Sequence, residues 1–190
     1  GEQIWKAPET LEGSFPSTEG GTNLIWAKAD RIAFVSFQDG WPHLYSIPSK
    51  GGKELLLSPG NYMVEHIKLS PDGNSLIFAA NTGKDRFDLD RRHIGKVRID
   101  QPGIEILTQG IGIESNPVFT GDQNTIAYLS STAQRPVLPA IMNSNGKSHR
   151  VLCEDLIPAD FPQKQLISPK HITFKAADGQ TVYGQLFESK

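Results

Sequence analysis

The stretch Lys68-Leu69-Ser70-Pro71-Asp72-Gly73-Asn74-Ser75-Leu76-Ile77-Phe78 decides the fold. At its centre, Pro71 presets φ, Asp72 can bond its own backbone, and Gly73 takes a left-handed position at no steric cost. This is tight-turn chemistry between two apolar runs, and it predicts two strands joined antiparallel. The run after the turn, Leu76-Ile77-Phe78-Ala79, is apolar on both faces instead of alternating, as a sheet covered on both sides requires.

The same pattern recurs on either side. Ile25-Trp26-Ala27-Lys28-Ala29-Asp30-Arg31-Ile32-Ala33-Phe34 precedes it, and Val118-Phe119-Thr120-Gly121-Asp122-Gln123-Asn124-Thr125-Ile126-Ala127-Tyr128 follows it. With Asp30, Asp72 and Asp122 as markers, the steps are 42 residues (30 to 72) and 50 residues (72 to 122), the second lengthened by an insertion around Gly83-Arg92. A second set of turns, Ser49-Lys50-Gly51-Gly52, Asp100-Gln101-Pro102-Gly103 and Asn143-Ser144-Asn145-Gly146, falls at the same phase of each repeat. Short apolar clusters, turn signals every ~8 to 12 residues and a period of ~40 to 50 residues mark propeller blades of four strands each.

The fold class is therefore all-β: a partial β-propeller of about three four-stranded antiparallel blades, at about 22–60, 62–110 and 113–153, followed by a short β-hairpin. Gln3-Ile4-Trp5-Lys6-Ala7 reads as the last strands of an earlier blade, so residues 1–153 form one partial propeller. A linker at 154–168 contains Leu156-Ile157-Pro158-Ala159-Asp160-Phe161-Pro162. The strands His171–Ala176 and Thr181–Phe187 then flank the hairpin turn Ala177-Asp178-Gly179-Gln180. Three blades do not close a ring, so the sequence reads as a fragment whose uncovered blade faces favour self-association.

Composition narrows the function. The 19 Lys+Arg against 21 Asp+Glu leave no basic surplus to displace counterions from a nucleic acid, which disfavours that partner. The sequence shows neither a run of 18 apolar residues nor a charged segment leading into an apolar one, so no membrane span or signal peptide is read from it. A single cysteine, Cys153, excludes an intrachain disulfide and a cysteine zinc site, and it reads as a small buried hydrophobe. The aromatics, Trp26 and Trp41 among them, read as core. The five histidines, His43, His66, His93, His149 and His171, lack metal-ligand spacing and read as surface or strand-packing residues. No metal and no cofactor is expected.

No G-x-S-x-G, phosphate loop, dinucleotide fingerprint or H-E-x-x-H occurs, so no catalytic residue is assigned. The one segment of unusual charge density is Lys84-Asp85-Arg86-Phe87-Asp88-Leu89-Asp90-Arg91-Arg92-His93. Alternating charges suit a solvated loop. Its second reading is functional: Arg91 or Arg92 presents a planar guanidinium to a substrate carboxylate or carbonyl, with Asp88 and Asp90 beside them as substrate-binding candidates.

With these residues in hand, the chain resembles the propeller of serine peptidases of the prolyl oligopeptidase superfamily, dipeptidyl peptidase IV-like or acylaminoacyl peptidase-like. The likeness rests on Leu69–Phe78, on Asp88-Leu89-Asp90-Arg91-Arg92-His93-Ile94, and on Ile126-Ala127-Tyr128-Leu129-Ser130-Ser131. It rests above all on Pro169-Lys170-His171-Ile172-Thr173-Phe174 leading through Asp178-Gly179 to Val182-Tyr183-Gly184-Gln185-Leu186-Phe187. That last segment is similar to the first hairpin of the family's α/β-hydrolase domain, which places 169–190 at the start of a truncated hydrolase domain.

The resemblance implies a serine-type peptidase, and hence a hydrolase, as the parent protein. This part would be non-catalytic, gating peptide access to a hydrolase domain and further blades outside it. The family's substrate-amine motif is a pair of adjacent glutamates, and no Glu-Glu pair occurs here. Family members with a propeller are often exported in bacteria, which leans towards the periplasm or secretion over the cytoplasm. The competing reading is a non-enzymatic protein-binding propeller of the Tol or WD type, which would end by completing its ring and not in a second hairpin. A carbohydrate-active propeller ranks last, because its two carboxylates must converge across a pocket whereas Asp88 and Asp90 share one short loop.

Overall fold

The structure is a computed structural model and describes residues 1–11, 13, 24–82 and 90–188. Blade one is a meander of β1 (Ile25–Ala27), β2 (Arg31–Ser36), β3 (His43–Pro48) and β4 (Leu55–Leu56). Blade two comprises β5 (Val64–Leu69), β6 (Ser75–Ala80), β7 (His93–Arg98) and β8 (Glu105–Ile106). Blade three comprises β9 (Ile113–Phe119), β10 (Thr125–Thr132), β11 (Arg135–Asn143) and β12 (Arg150–Val151). Each is an antiparallel sheet in chain order, so the partial propeller of three four-stranded blades stands as read. A 3-10 turn, Glu154–Leu156, follows. The hairpin of β13 (Lys170–Lys175) and β14 (Thr181–Leu186) ends the described chain. No helix among the described residues is long and apolar enough to cross a membrane.

The blades stack face to face, and β6 shows why its sequence is apolar throughout. Leu76, Phe78 and Ala80 join Ala33, Val35, Leu44 and Leu57 of blade one in one core. Ile77 and Ala79 join Ile126, Tyr128, Ala140 and Met142 of blade three in another. Alternation on a strand sends successive side chains to opposite sheets, and here both sheets are covered. Polar bonds reinforce the first seam. Arg31 donates to Ser46 Oγ at 2.9 Å, Ser46 donates onward to the Ile99 carbonyl at 2.6 Å, and the Gly103 amide donates to the Leu57 carbonyl at 2.9 Å.

The turns carry the expected chemistry, with one shift of register. Ser70 Oγ donates to Asp72 Oδ1 at 2.5 Å, the Asn74 amide donates to the same oxygen at 3.0 Å, and Gly73 has φ +72°. Blade three repeats this with Thr120, Asp122 and Asn124, and Gln123 takes the left-handed place at φ +62°. Blade one differs: Ala29 and Asp30 both have positive φ in a shorter turn. The Asp30 carbonyl accepts from Ser49 as Asn74 accepts from Ile99 and Asn124 from Ser144. Asp30 is therefore the counterpart of Asn74, not of Asp72. The structural steps are 44 residues (30 to 74) and 50 residues (74 to 124), and the extra length lies in the connection 81–92, which replaces 37–42 of blade one.

Three sequence expectations need correction. Gln3–Ala7 is not a strand. Ile4 and Trp5 instead pack on Phe34, Tyr45 and Ile47, covering the face of blade one opposite blade two. Trp26 is not core: Ile25 and Ala27 point inward, so alternation leaves the ring 65% exposed beside Ile32. Cys153 is exposed because the chain turns away from blade three there, with φ +61°.

Candidate functional site

The backbone hydrogen bonds fix which residues are equivalent between blades. Leu57 donates to Leu44 as Leu107 donates to Ile94 and Leu152 to Pro139. Val64 donates to Pro42 as Glu114 donates to Arg92. His43 and His93 therefore share a place at the head of the third strand. Ser58 and Thr108 share one after the fourth: their hydroxyls accept the Leu44 and Ile94 amides, each at 2.8 Å.

The two seams then diverge. On the first, blade two presents Val64, Phe78 and Ala80 to blade one. On the second, blade three presents Glu114, Tyr128 and Ser130 at the equivalent positions, all buried. His93 Nδ1 donates to Glu114 Oε2 at 2.8 Å, and Thr108 Oγ1 donates to the same oxygen at 3.1 Å. His43, facing Val64's seam, instead holds Asp39 Oδ2 at 2.7 Å and packs edge-on against Tyr62. A buried polar group needs a hydrogen-bonded partner, and each imidazole Nδ1 has a carboxylate, whereas His43 Nε2 is buried with no partner among the described residues.

Beside this polar group an open groove of about 450 Å³ is lined by Thr108, Gln109, Glu114, Tyr128, Ser130 and His149, with Leu107 and Val151 as apolar wall. Burial raises the pKa of the Tyr128 phenol, and the Glu114 charge adds to it, so the hydroxyl keeps its proton. It lies 3.2 Å from His149 Nδ1, while His149 Nε2 faces the Gly146 carbonyl at 2.9 Å. A carbonyl only accepts, so Nε2 carries the proton and Tyr128 donates to Nδ1. Arg135 donates to Ser130 Oγ at 2.9 Å and reaches Glu154 at 3.3 Å.

Of the residues singled out by sequence, Arg92 ends the connection between β6 and β7. Its Nε donates to Glu65 Oε2 at 2.7 Å and its Nη1 to the Arg91 carbonyl at 3.1 Å. Arg91 is half-buried beside it and Asp90 is exposed at the same turn. Asp88 lies outside the described residues. The connection thus joins Arg92 to β5 and, through its backbone carbonyl, to the Glu114 amide at 2.8 Å. Sequence reading missed the His93–Glu114–Thr108 group. The sequence hides it: His43 and His93 stand 50 residues apart (43 to 93), out of step with the 44 residues between the turns of blades one and two, because the longer connection 81–92 precedes His93. Among the described residues no three His, Cys, Asp or Glu side chains converge to hold a metal.

Three stacked four-stranded meanders make the molecule an arc of β-propeller. The chain belongs to the family of dipeptidyl peptidase IV N-terminal regions, which matches residues 15–137. Among solved structures, the Porphyromonas gingivalis dipeptidyl peptidase 4 is similar at 16% identity and a TM-score of 0.66, over 86% of this chain and 23% of that one. A Mycobacterium tuberculosis puromycin-hydrolyzing peptidase is similar at 15% identity and a TM-score of 0.66, over 86% of this chain and 25% of that one. A putative TolB from Agrobacterium tumefaciens is similar at 20% identity and a TM-score of 0.53, over 67% of this chain and 47% of that one. The chain spans about a quarter of the length of the solved peptidases it matches. No curated protein matches it.

Proposed function

We propose that this chain is the propeller portion of a serine exopeptidase or oligopeptidase of dipeptidyl aminopeptidase type, gating peptide access to a hydrolase domain whose first hairpin is β13–β14. The observation that carries the reading is the hairpin following blade three. The three sheets occupy residues 25–151, two thirds of the chain and a share equal to the TolB match, whereas the peptidase matches extend over 86%. A binding propeller alone has no use for a further hairpin whose Phe174, Tyr183 and Phe187 are exposed. In this reading the turn at Asp90, Arg91 and Arg92 borders the peptide chamber, and its guanidinium groups orient substrate carbonyls.

The test compares this chain with a form extended through the next few hundred codons of its gene, on a panel of chromogenic aminoacyl and dipeptidyl substrates. The expected result is hydrolysis by the extended form alone, abolished by a serine-directed organophosphate. If neither form cleaves anything while the short one folds and binds a protein, the peptidase reading is replaced by the binding propeller.

A further inference from the structure

One part of the second seam, around Glu114 and Ser130, is polar where the matching part of the first is apolar, and the repeat itself supplies the control. Val64, Phe78 and Ala80 show that this backbone position closes well with hydrocarbon. Glu114 and Ser130 forgo that packing, and the open groove beside them and Tyr128 has a volume of about 450 Å³, within the range of sites for small molecules. Buried polar groups without such a use are a cost to folding.

A count of hydrogen-bonding capacity identifies what the groove lacks. Glu114 Oε2 is occupied by His93 and Thr108, but among the described residues no bond is made to Oε1. Tyr128 gives its proton to His149 and retains oxygen lone pairs. Both of these groups are acceptors, and one belongs to a carboxylate; the Ser130 hydroxyl, which accepts from Arg135, keeps a proton to donate. The Arg135 Nη groups nearby are directed at Ser130 and Glu154, while its Nε is buried with no hydrogen-bond partner among the described residues. Leu107 and Val151 offer apolar wall for a short carbon chain. Gly112 keeps the carboxylate in place, since a Cβ there would collide with Oε1.

We infer that the groove between blades two and three binds a small free primary amine, its ammonium held by Glu114 Oε1 and Tyr128 Oη and its alkyl chain lying on Leu107 and Val151. The site belongs to the seam and does not depend on the peptidase reading. An alkylammonium is charged at neutral pH, with a pKa near ~10.4 by analogy with lysine, and its three N–H donors suffice for both acceptors.

Calorimetric titration of the full chain with n-butylamine, n-butanol and n-butyrate tests this. The amine should bind at least about tenfold more tightly than the alcohol, and butyrate should not bind; that ratio corresponds to ~1.4 kcal/mol. Gly112→Ala, which retains every polar group but displaces Oε1, should weaken the amine about tenfold. Tyr128→Phe should weaken it several-fold while folding normally, because Phe78 fills the same place one blade earlier. Glu114→Gln should remove the preference for amine over alcohol. Equal binding of butylamine and butanol, or amine affinity unchanged in both Gly112→Ala and Tyr128→Phe, would overturn the assignment and leave a water-filled seam.

Discussion

Thr108 shows how a single side chain ties a seam together. Its hydroxyl accepts the Ile94 amide and donates to Glu114, so Thr108→Val, of equal shape, strands a buried N–H and leaves Glu114 Oε2 with His93 as its one remaining donor. The expected loss is about 1–3 kcal/mol, read from urea midpoints, and Ser58→Ala should fall at the lower end because it strands only the Leu44 amide. Asp72 gives a pH signature. The Ser70 hydroxyl first, then the Asn74 amide, lowers its pKa from 3.8 to about 2. A folded pKa below the unfolded value means stabilisation that is present above the unfolded pKa and lost as pH falls through the folded one. The advantage of wild type over Asp72→Asn should therefore shrink as pH drops from about 4 to about 2, measured by urea unfolding across that window. The turn was legible because its residues are contiguous. The Glu114 pairing was not, because its partner lies 21 residues away on another blade and nothing local marks it.

At the scale of the strand and turn, Gly95 exists to admit a ring. It pairs with Phe78, and a Cβ at 95 would lie 2.6 Å from that ring. Gly95→Ala should cost about 1–3 kcal/mol by overpacking, and Phe78→Leu in the same chain should recover part of it, a coupling that a double-mutant cycle reads directly. Blade three tolerates Ala140 at the equivalent pair with Tyr128. The turns offer the reverse experiment. Gln123 holds the left-handed conformation that Gly73 holds without strain, so Gln123→Gly should raise stability by up to ~1 kcal/mol in thermal unfolding. Strand order and turn positions were readable because local chemistry sets them. The phase of blade one was misread because Asp30 has the right residue type at the wrong turn position, which only the Asp30–Ser49 backbone bond reveals.

For the molecule as a whole, what matters is which blade faces are covered. Blade two is enclosed on both sides, and the far face of blade one carries Ile4 and Trp5. The far face of blade three carries Val118 at 48% exposure, Leu129 at 37% and Val137 at 60%, with Ile141 and Pro139 on the same side of the sheet. Leu129 occupies the position at which Val35 and Ala79 are buried, so this surface has the composition of a seam without its second sheet. Apolar patches of this kind drive association, and a second copy presenting the same face meets it with matching chemistry. Sedimentation of the chain should show reversible, concentration-dependent dimers. Leu129→Glu combined with Val137→Lys should shift it to monomer without altering circular dichroism, because both side chains already meet solvent. A wild-type chain that stays monomeric at the highest concentrations would overturn this reading of the face.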